Sequence, residues 1–503
     1  MSLPKVNVNV GEETLSTSNN TIPFIPAIIL KTKSGPIGTV ETITSESQFK
    51  AIFGESDYTV PSAYALQLYL RTYSYVLVTR IANTSEAAIG TGTLSFTSSS
   101  TSINLISAET DYKTDLFNGK EIKLVYDGTA HKIWLDVSSI TGKNTISIKE
   151  DYTADTATAV VLEAALNRLV NSINAAHLGI TLENKFTDKT TNDPVPTVQM
   201  FTAGLSFYIA SGNSGNTTAI DVSAIKSVID LYDVPTADID VLVIPEYNSY
   251  EIVNYATDLA LKNNYIILTS LSNDSVQAAM TAAENYSKDN RGSLAVYFPD
   301  VYYNDFYNNE GNLQRIPACM AVLSTYAKTD VSTKWGAPAG VTRGTLSLVN
   351  SLAVELTDDD KSELYDNTVP INCINNISGR GFVVWGNKTT DSESNFFDRI
   401  NISKLTKYVT KEAYIISWDY LFEPITPYVF NDWTMRVEAM LNAIKTGYGL
   451  VDFQVIMDDT INTDETIAKN QLNGIIRLKP QEVAEYIDID LTITDVIEVS
   501  VAE

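Results

Sequence analysis

Between residues 225 and 298 the chain repeats one pattern, and that pattern limits the fold more than any other feature. Three short apolar runs stand out: Ile239-Asp240-Val241-Leu242-Val243-Ile244, Tyr265-Ile266-Ile267-Leu268-Thr269-Ser270 and Leu294-Ala295-Val296-Tyr297-Phe298. Each reads as a strand. Segments of helical spacing precede them: Ile225, Val228, Ile229 and Tyr232; then Ile252, Tyr255, Ala256, Leu259 and Ala260; then Val276, Ala279, Met280 and Ala283. Strands that alternate with helices imply parallel pairing through right-handed crossovers.

At 503 residues the chain is too long for one core, and about three domains are expected. Residues 1–20 form a polar, extended arm rich in Asn, Ser and Thr. Residues 21–90 read as a small α/β unit. Strands are expected at 25–31, 39–43 and 75–81, with a helix capped by Ser45 that stops at Gly54 and another opened by Pro61. A shift to Gly, Ser and Thr at 89–102 marks a boundary, so 91–204 is read as an insert. Inside it, strands at 122–126 and 131–137 flank Asp127-Gly128, a helix is expected near 162–173, and 183–196 reads as loop.

After the α/β stretch comes an aromatic loop at 302–312 and a helix over 317–328. Thr357 before Asp358, Asp359 and Asp360 is a helix start, because acids favour the positive end of the dipole. A strand at 382–385, a long helix from about 397, a second over 431–445 and a strand at 451–455 follow. The finish, 472–478 and 486–494, reads as a hairpin across Pro480.

Both extremities of the sequence alternate with period two. Ile487, Ile489, Leu491 and Ile493 share one face, and Val6, Val8 and Val10 echo them. Such a strand left unpaired exposes a row of N–H and C=O groups that templates pairing with another chain.

Several functions are disfavoured. With 35 basic and 61 acidic residues the net charge is −26, which argues against direct nucleic-acid binding. Cys319 and Cys373 lie 54 residues apart and read as isolated buried thiols, with neither a disulfide framework nor a metal pair. The apolar run at 22–30 is too short to span a bilayer and holds two prolines, so no stable membrane insertion is expected, nor a signal peptide. A soluble protein made in a cytoplasm is the expectation. Gly142-Lys143 is followed by Asn144, so no phosphate-binding loop is present, and no Gly-x-Ser-x-Gly elbow occurs. An enzyme site at the strand ends near Glu246, Ser270 and Asp300 would have to work without histidine, because His131 and His177 both fall in the insert. The pairs Asp238/Asp240 and Asp488/Asp490 lack the glycine and closing glutamate of a calcium loop. No catalytic, cofactor or metal residue is therefore assigned.

The helix after 397 carries a second feature. Ile402, Leu405, Val409, Ala413 and Ile416 make an apolar stripe, and Lys404, Lys407 and Lys411 gather on the opposite face. Such a face is expected to be solvated, or else to grip an acidic partner.

The order of five segments is similar to that of contractile phage tail sheath proteins. The first is Gly35-Pro36, then Phe49 to Gly54, then the strand ending at Arg80. The second is Tyr297-Phe298-Pro299-Asp300 with Tyr326-Ala327-Lys328-Thr329-Asp330 and Trp335-Gly336-Ala337-Pro338-Ala339. The third is Gly379-Arg380-Gly381-Phe382-Val383-Val384-Trp385-Gly386. The fourth is Phe422-Glu423-Pro424 followed by Trp433, Arg436 and the helix through Leu441; the fifth is the terminal pair of strands. The likeness covers roughly 1–90 and 205–503.

The resemblance implies an α/β and α+β multidomain fold: a tube-facing domain built from both chain ends, a central α/β domain, an inserted β-rich outer domain, and extended terminal strands for inter-subunit pairing. The corresponding divisions are 1–20, 21–90, 91–204, 205–355, 356–485 and 486–503. It also implies a non-enzymatic job. Copies form a helical or stacked-ring homopolymer around an inner tail tube protein, bounded by a baseplate and a tail terminator. Contraction then drives the tube through a host envelope. The location implied is the virion tail, assembled in the host bacterial cytoplasm, and no cofactor is required. On this reading Val6, Val8, Val10, Ile487, Ile489, Leu491 and Ile493 pair between subunits, and Lys404, Lys407 and Lys411 contact the tube. The same features would serve a contractile bacteriocin or a secretion or injection device. A receptor-binding or adhesion protein and an α/β enzyme are the remaining alternatives.

Overall fold

A computed structural model of the chain describes residues 24–32, 35–54, 56, 60–83, 219–233, 239–304, 313–392 and 396–486, together with the backbone of the strands between 90 and 210. The chain divides into two compact units, with the break after Ile415. The larger is built on an eight-stranded sheet. Its strands are β1 Pro26–Leu30, β2 Val40–Ile43, β3 Val76–Arg80, β4 Val241–Val243, β5 Ile266–Ser270, β6 Leu294–Phe298, β7 Asn372–Ile377 and β8 Gly381–Trp385. They lie in the order β8-β7-β6-β5-β4-β1-β3-β2. The six inner strands run parallel, and antiparallel β2 and β8 close the edges.

The apolar strand runs are continuous because both faces are covered. In β1, Ile28 and Leu30 enter one core while Ala27 and Ile29 enter the other. In β5, Ile266 and Leu268 face the first core and Ile267 the second. The first core is closed by α1 Glu46–Phe53, α2 Pro61–Tyr69 and α6 Ala318–Ser332. The second is closed by α3 Val222–Ile229, α4 Tyr250–Asn263, α5 Val276–Ala283 and α7 Asp358–Tyr365. Helix starts follow local chemistry. Ser45 Oγ accepts from Gln48 N at 3.2 Å, and Thr357 and Asp360 form a reciprocal capping box.

Several expectations need correction. Residues 21–90 do not make a sheet of their own: β1 pairs with β3 on one side and β4 on the other. Nor does 356 open a new domain, since β7 and β8 extend the same sheet; the separate unit begins at 416. The run Asn-Cys-Ile-Asn-Asn-Ile of β7 has no strand-like apolar pattern. It holds there because Asn372 Nδ2 donates to Val296 O at 3.2 Å and to Lys388 O at 2.7 Å, satisfying a buried amide. The insert closes later than 204, because Leu205–Ala210 pairs antiparallel with Gly90–Phe96 and parallel with Asn104–Ser107. The hairpin Glu121–Tyr126 with Thr129–Asp136 is where the turn signal places it. Val301–Asn304 is a strand of a three-stranded sheet with Leu313–Ile316 and Val349–Leu352, where an aromatic loop was expected. The helix expected at 162–173 and most of the loop at 183–196 lie outside the described residues.

The smaller unit, from Ile416 on, holds the last residues of α8 Ile400–Trp418, then α9 Pro427–Thr446, β9 Leu450–Ile456 and β10 Ile475–Pro480.

Candidate functional site

In the smaller unit, Thr426 caps α9 by accepting from Val429 N, and Pro427 occupies the first turn. Val429, Phe430, Trp433, Val437, Leu441 and Ile444 recur at helical spacing and are buried. β9 packs on this helix and pairs antiparallel with β10, matching Phe453 to Leu478 and Val455 to Ile476. The finish is expected as a hairpin of 472–478 with 486–494 across Pro480; among the described residues β10 pairs with β9, and Pro480 is its last residue. Residues 487–494 lie outside the described residues, as do Val6, Val8 and Val10.

This sheet has two strands only among the described residues, so β9 and β10 each keep one unpaired edge there. Two-stranded sheets are marginal alone and are completed by a third strand or a covering surface. Large apolar side chains of this unit are exposed: Phe422 is 83% exposed, Tyr428 76%, Met435 60% and Tyr448 85%. An open ladder edge can accept an extended segment, whose main chain supplies the hydrogen bonds.

The lysine stripe is placed differently. Lys404, Lys407 and Lys411 do share a face of α8, as the spacing predicts, but in the larger unit that face turns inward. They line a cavity of about 40 Å³ with Lys334, Asp240 and Asp330, so much of the face is enclosed within the larger unit. Their stems are partly exposed or buried, and the Nζ atoms of Lys404 and Lys411 have no solvent contact. Lys407 Nζ donates to Ser293 Oγ at 3.0 Å; Lys411 Nζ lies 3.8 Å from Asp240 Oδ1. The apolar stripe of Ile402, Leu405, Val409 and Ala413 is buried as well, so α8 is enclosed on both sides. A helical wheel groups the lysines but cannot tell which side meets the sheet.

Burial brings Lys404 down to about 8, against the pull of Asp330 and Asp240, and Lys407 to about 7. Folded, these amines hold fewer protons than in the unfolded chain, where lysine titrates near 10.4. Stability therefore rises as pH climbs from about 7. Cys319 and Cys373, pushed up to about 12 by burial, reverse the slope above the unfolded thiol pKa, because the folded state then keeps protons that the unfolded chain releases. Unfolding midpoints of the unassembled subunit should peak near about pH 9, and Lys404→Met with Lys407→Met should flatten the limb between about pH 7 and 9. A midpoint that falls steadily from pH 7 would contradict this.

Of the strand-end residues of the enzyme alternative, Glu246 and Asp300 line one cleft and Ser270 is turned into the core. Ser270 Oγ donates to Cys319 Sγ at 3.3 Å inside the core. Asp300 is used structurally, accepting from Ala318 N at 3.0 Å and Arg315 Nε at 3.0 Å. Burial raises the carboxyls of Glu246 and Asp300, which line one cleft with Lys31, Ser62, Ser272 and Arg315; Ser62 hydrogen-bonds Glu246, and Ser272 and Arg315 hydrogen-bond Asp300. Among those residues no group of three or more His, Cys, Asp and Glu could hold a metal, and no helix is long and apolar enough to cross a membrane. Both cysteines are free and buried.

No family model matches the chain. The tail sheath protein of Vibrio phage KVP40 is 31% identical over 193 residues, which is 38% of this chain and 28% of that protein. The tail sheath protein of Enterobacteria phage T4 is 28% identical over 219 residues, 42% of this chain and 33% of that protein. The matches thus span about a third or less of these curated relatives' length. Among solved structures, the sheath complex of an extracellular contractile injection system, PVC, in its contracted state shares the fold over 98% of both chains, with a TM-score of 0.55 and 14% identity.

Proposed function

We propose that this chain, which belongs to the contractile tail sheath family, is a structural subunit that polymerises around an inner tube and shortens to drive that tube through a host envelope. The observation that carries the reading is the β9–β10 hairpin, which among the described residues keeps an unpaired edge on each strand. Segments bearing Val6, Val8 and Val10, and Ile487, Ile489, Leu491 and Ile493, add to such edges on neighbouring copies. Each link is individually weak, but repetition around and along a tube makes the mesh strong. A flexible connection lets rigid domains turn while the strand pairing persists, so the mesh survives contraction. The work comes from a higher-energy assembled state relaxing to a lower one, a two-state change of packing that needs no nucleotide. The partners on this reading are identical copies, the tube, a baseplate and a terminator, assembled in the host bacterial cytoplasm into a virion tail.

Negative-stain electron microscopy of the purified full chain tests this directly. Rings or tubes are expected as concentration rises, with longer tubes when tube protein is added. Monomers that persist at every concentration, with and without tube protein, would overturn the proposal.

A further inference from the structure

We propose that Phe422 and Tyr448 are aromatic anchors that grip a neighbouring copy of this chain. Among the described residues of the smaller unit theirs are the most exposed large apolar side chains, at 83% and 85%. Both stand on left-handed backbone, with φ of +67° and +59°. A bulky L residue adopts that conformation only at a cost, and glycine or asparagine is favoured there. The other non-glycine residue of this kind described in the unit is Asn470, a type that tolerates it.

Tyr448 closes α9. Its N–H donates to Lys445 O at 3.1 Å and Gly449 N donates to Ile444 O at 2.9 Å, the paired bonds of a helix end whose left-handed residue is usually glycine. Glycines flank it at 447 and 449, yet the left-handed position itself holds a tyrosine. Phe422 is the third residue of a turn closed by Glu423 N to Tyr420 O at 3.3 Å, again a place where a positive φ calls for glycine. Neighbouring side chains pin this turn: Arg436 Nη1 lies 2.7 Å from Asp419 Oδ2, and Tyr420 Oη donates to Asp432 Oδ2 at 2.5 Å. Neither exposed ring buries enough surface within the subunit to offset its backbone cost, so the compensating contact lies outside it. Aromatic rings that fill a partner's pocket dominate the energy of an interface. The choice of partner rests on the polymer reading above. Tyr448 comes just before Leu450, where β9 and, among the described residues, its unpaired ladder edge begin, so a strand added there brings its own copy against the ring.

Phe422→Asn and Tyr448→Asn in the full chain test this, because asparagine keeps the left-handed backbone and removes the ring. The unfolding midpoint of each unassembled variant should equal or exceed that of the wild type. The concentration at which rings or tubes appear should rise by about tenfold or more. Phe422→Tyr and Tyr448→Phe, which keep a ring, should assemble like the wild type. A midpoint that drops by several degrees would make the rings structural within the subunit, and the proposal fails. It fails too if the asparagine variants assemble normally, or if they lose only the lengthening that tube protein gives. In each of these cases the wild-type polymer remains and the reading above stands. A wild-type chain that never assembles removes that reading and this one together.

Discussion

Replacing both Ile489 and Leu491 by proline is expected to abolish tube formation while leaving the unfolding midpoint of the subunit unchanged. Proline removes a backbone donor at each position and cannot sit inside a ladder. A strand of about six residues added to the edge of β9 or β10 forms several backbone hydrogen bonds, at about 1 kcal/mol net each before ordering costs. Losing most of them removes about 4 kcal/mol per link, or about a thousandfold in the association constant. If every subunit donates and accepts as proposed, the loss repeats at each link, so assembly should vanish rather than weaken. Sedimentation velocity and electron microscopy read the outcome. Ile489→Val with Leu491→Val preserves the alternation and should assemble normally. Normal tubes from the proline pair would remove strand exchange at these positions from the account.

Trp433→Ala should produce the largest loss of stability in the smaller unit, about 3–5 kcal/mol. Trp433 is 5% exposed, and its indole Nε1 donates to Ser417 Oγ at 2.9 Å. Its ring also floors the entry to β10: a Cβ placed on Gly474 would come within 2.8 Å of the indole Cη2 and 3.0 Å of Met457 Cε. One side chain thus ties the end of α8, the middle of α9 and the start of the hairpin. Trp433→Phe keeps most of the packing and loses the hydrogen bond, so about 1 kcal/mol is expected. Gly474→Val attacks the same contact from the other side, with about 1–3 kcal/mol of overpacking. Hydrogen exchange over 450–480 is the sensitive readout, because the acceptor ladder lies there. Protection unchanged in Trp433→Ala would show that the hairpin does not rest on this residue. If the hairpin receives strands, assembly should fall with its protection.

The strand-end acid Asp300, placed where many α/β proteins bind ligands, is engaged in structure: it holds the start of α6 and Arg315.

Local chemistry alone determined the elements whose cause is local. Apolar runs such as 266–270 announced strands, the acids after Thr357 announced a helix, and a helix was expected over 431–445, within α9. Backbone periods of 2 and 3.6 are properties of a few consecutive residues, so the order of residues is enough to expose them. Tertiary structure alone decided which faces meet. It joined β1 to β4 across more than two hundred residues, held the polar run of β7 in the sheet through the amide of Asn372, paired 475–480 with 450–456, and turned the lysine face of α8 inward. These outcomes depend on which distant surfaces close over one another and on whether each buried polar group finds a partner, and neither condition is written in the spacing of neighbours along the chain.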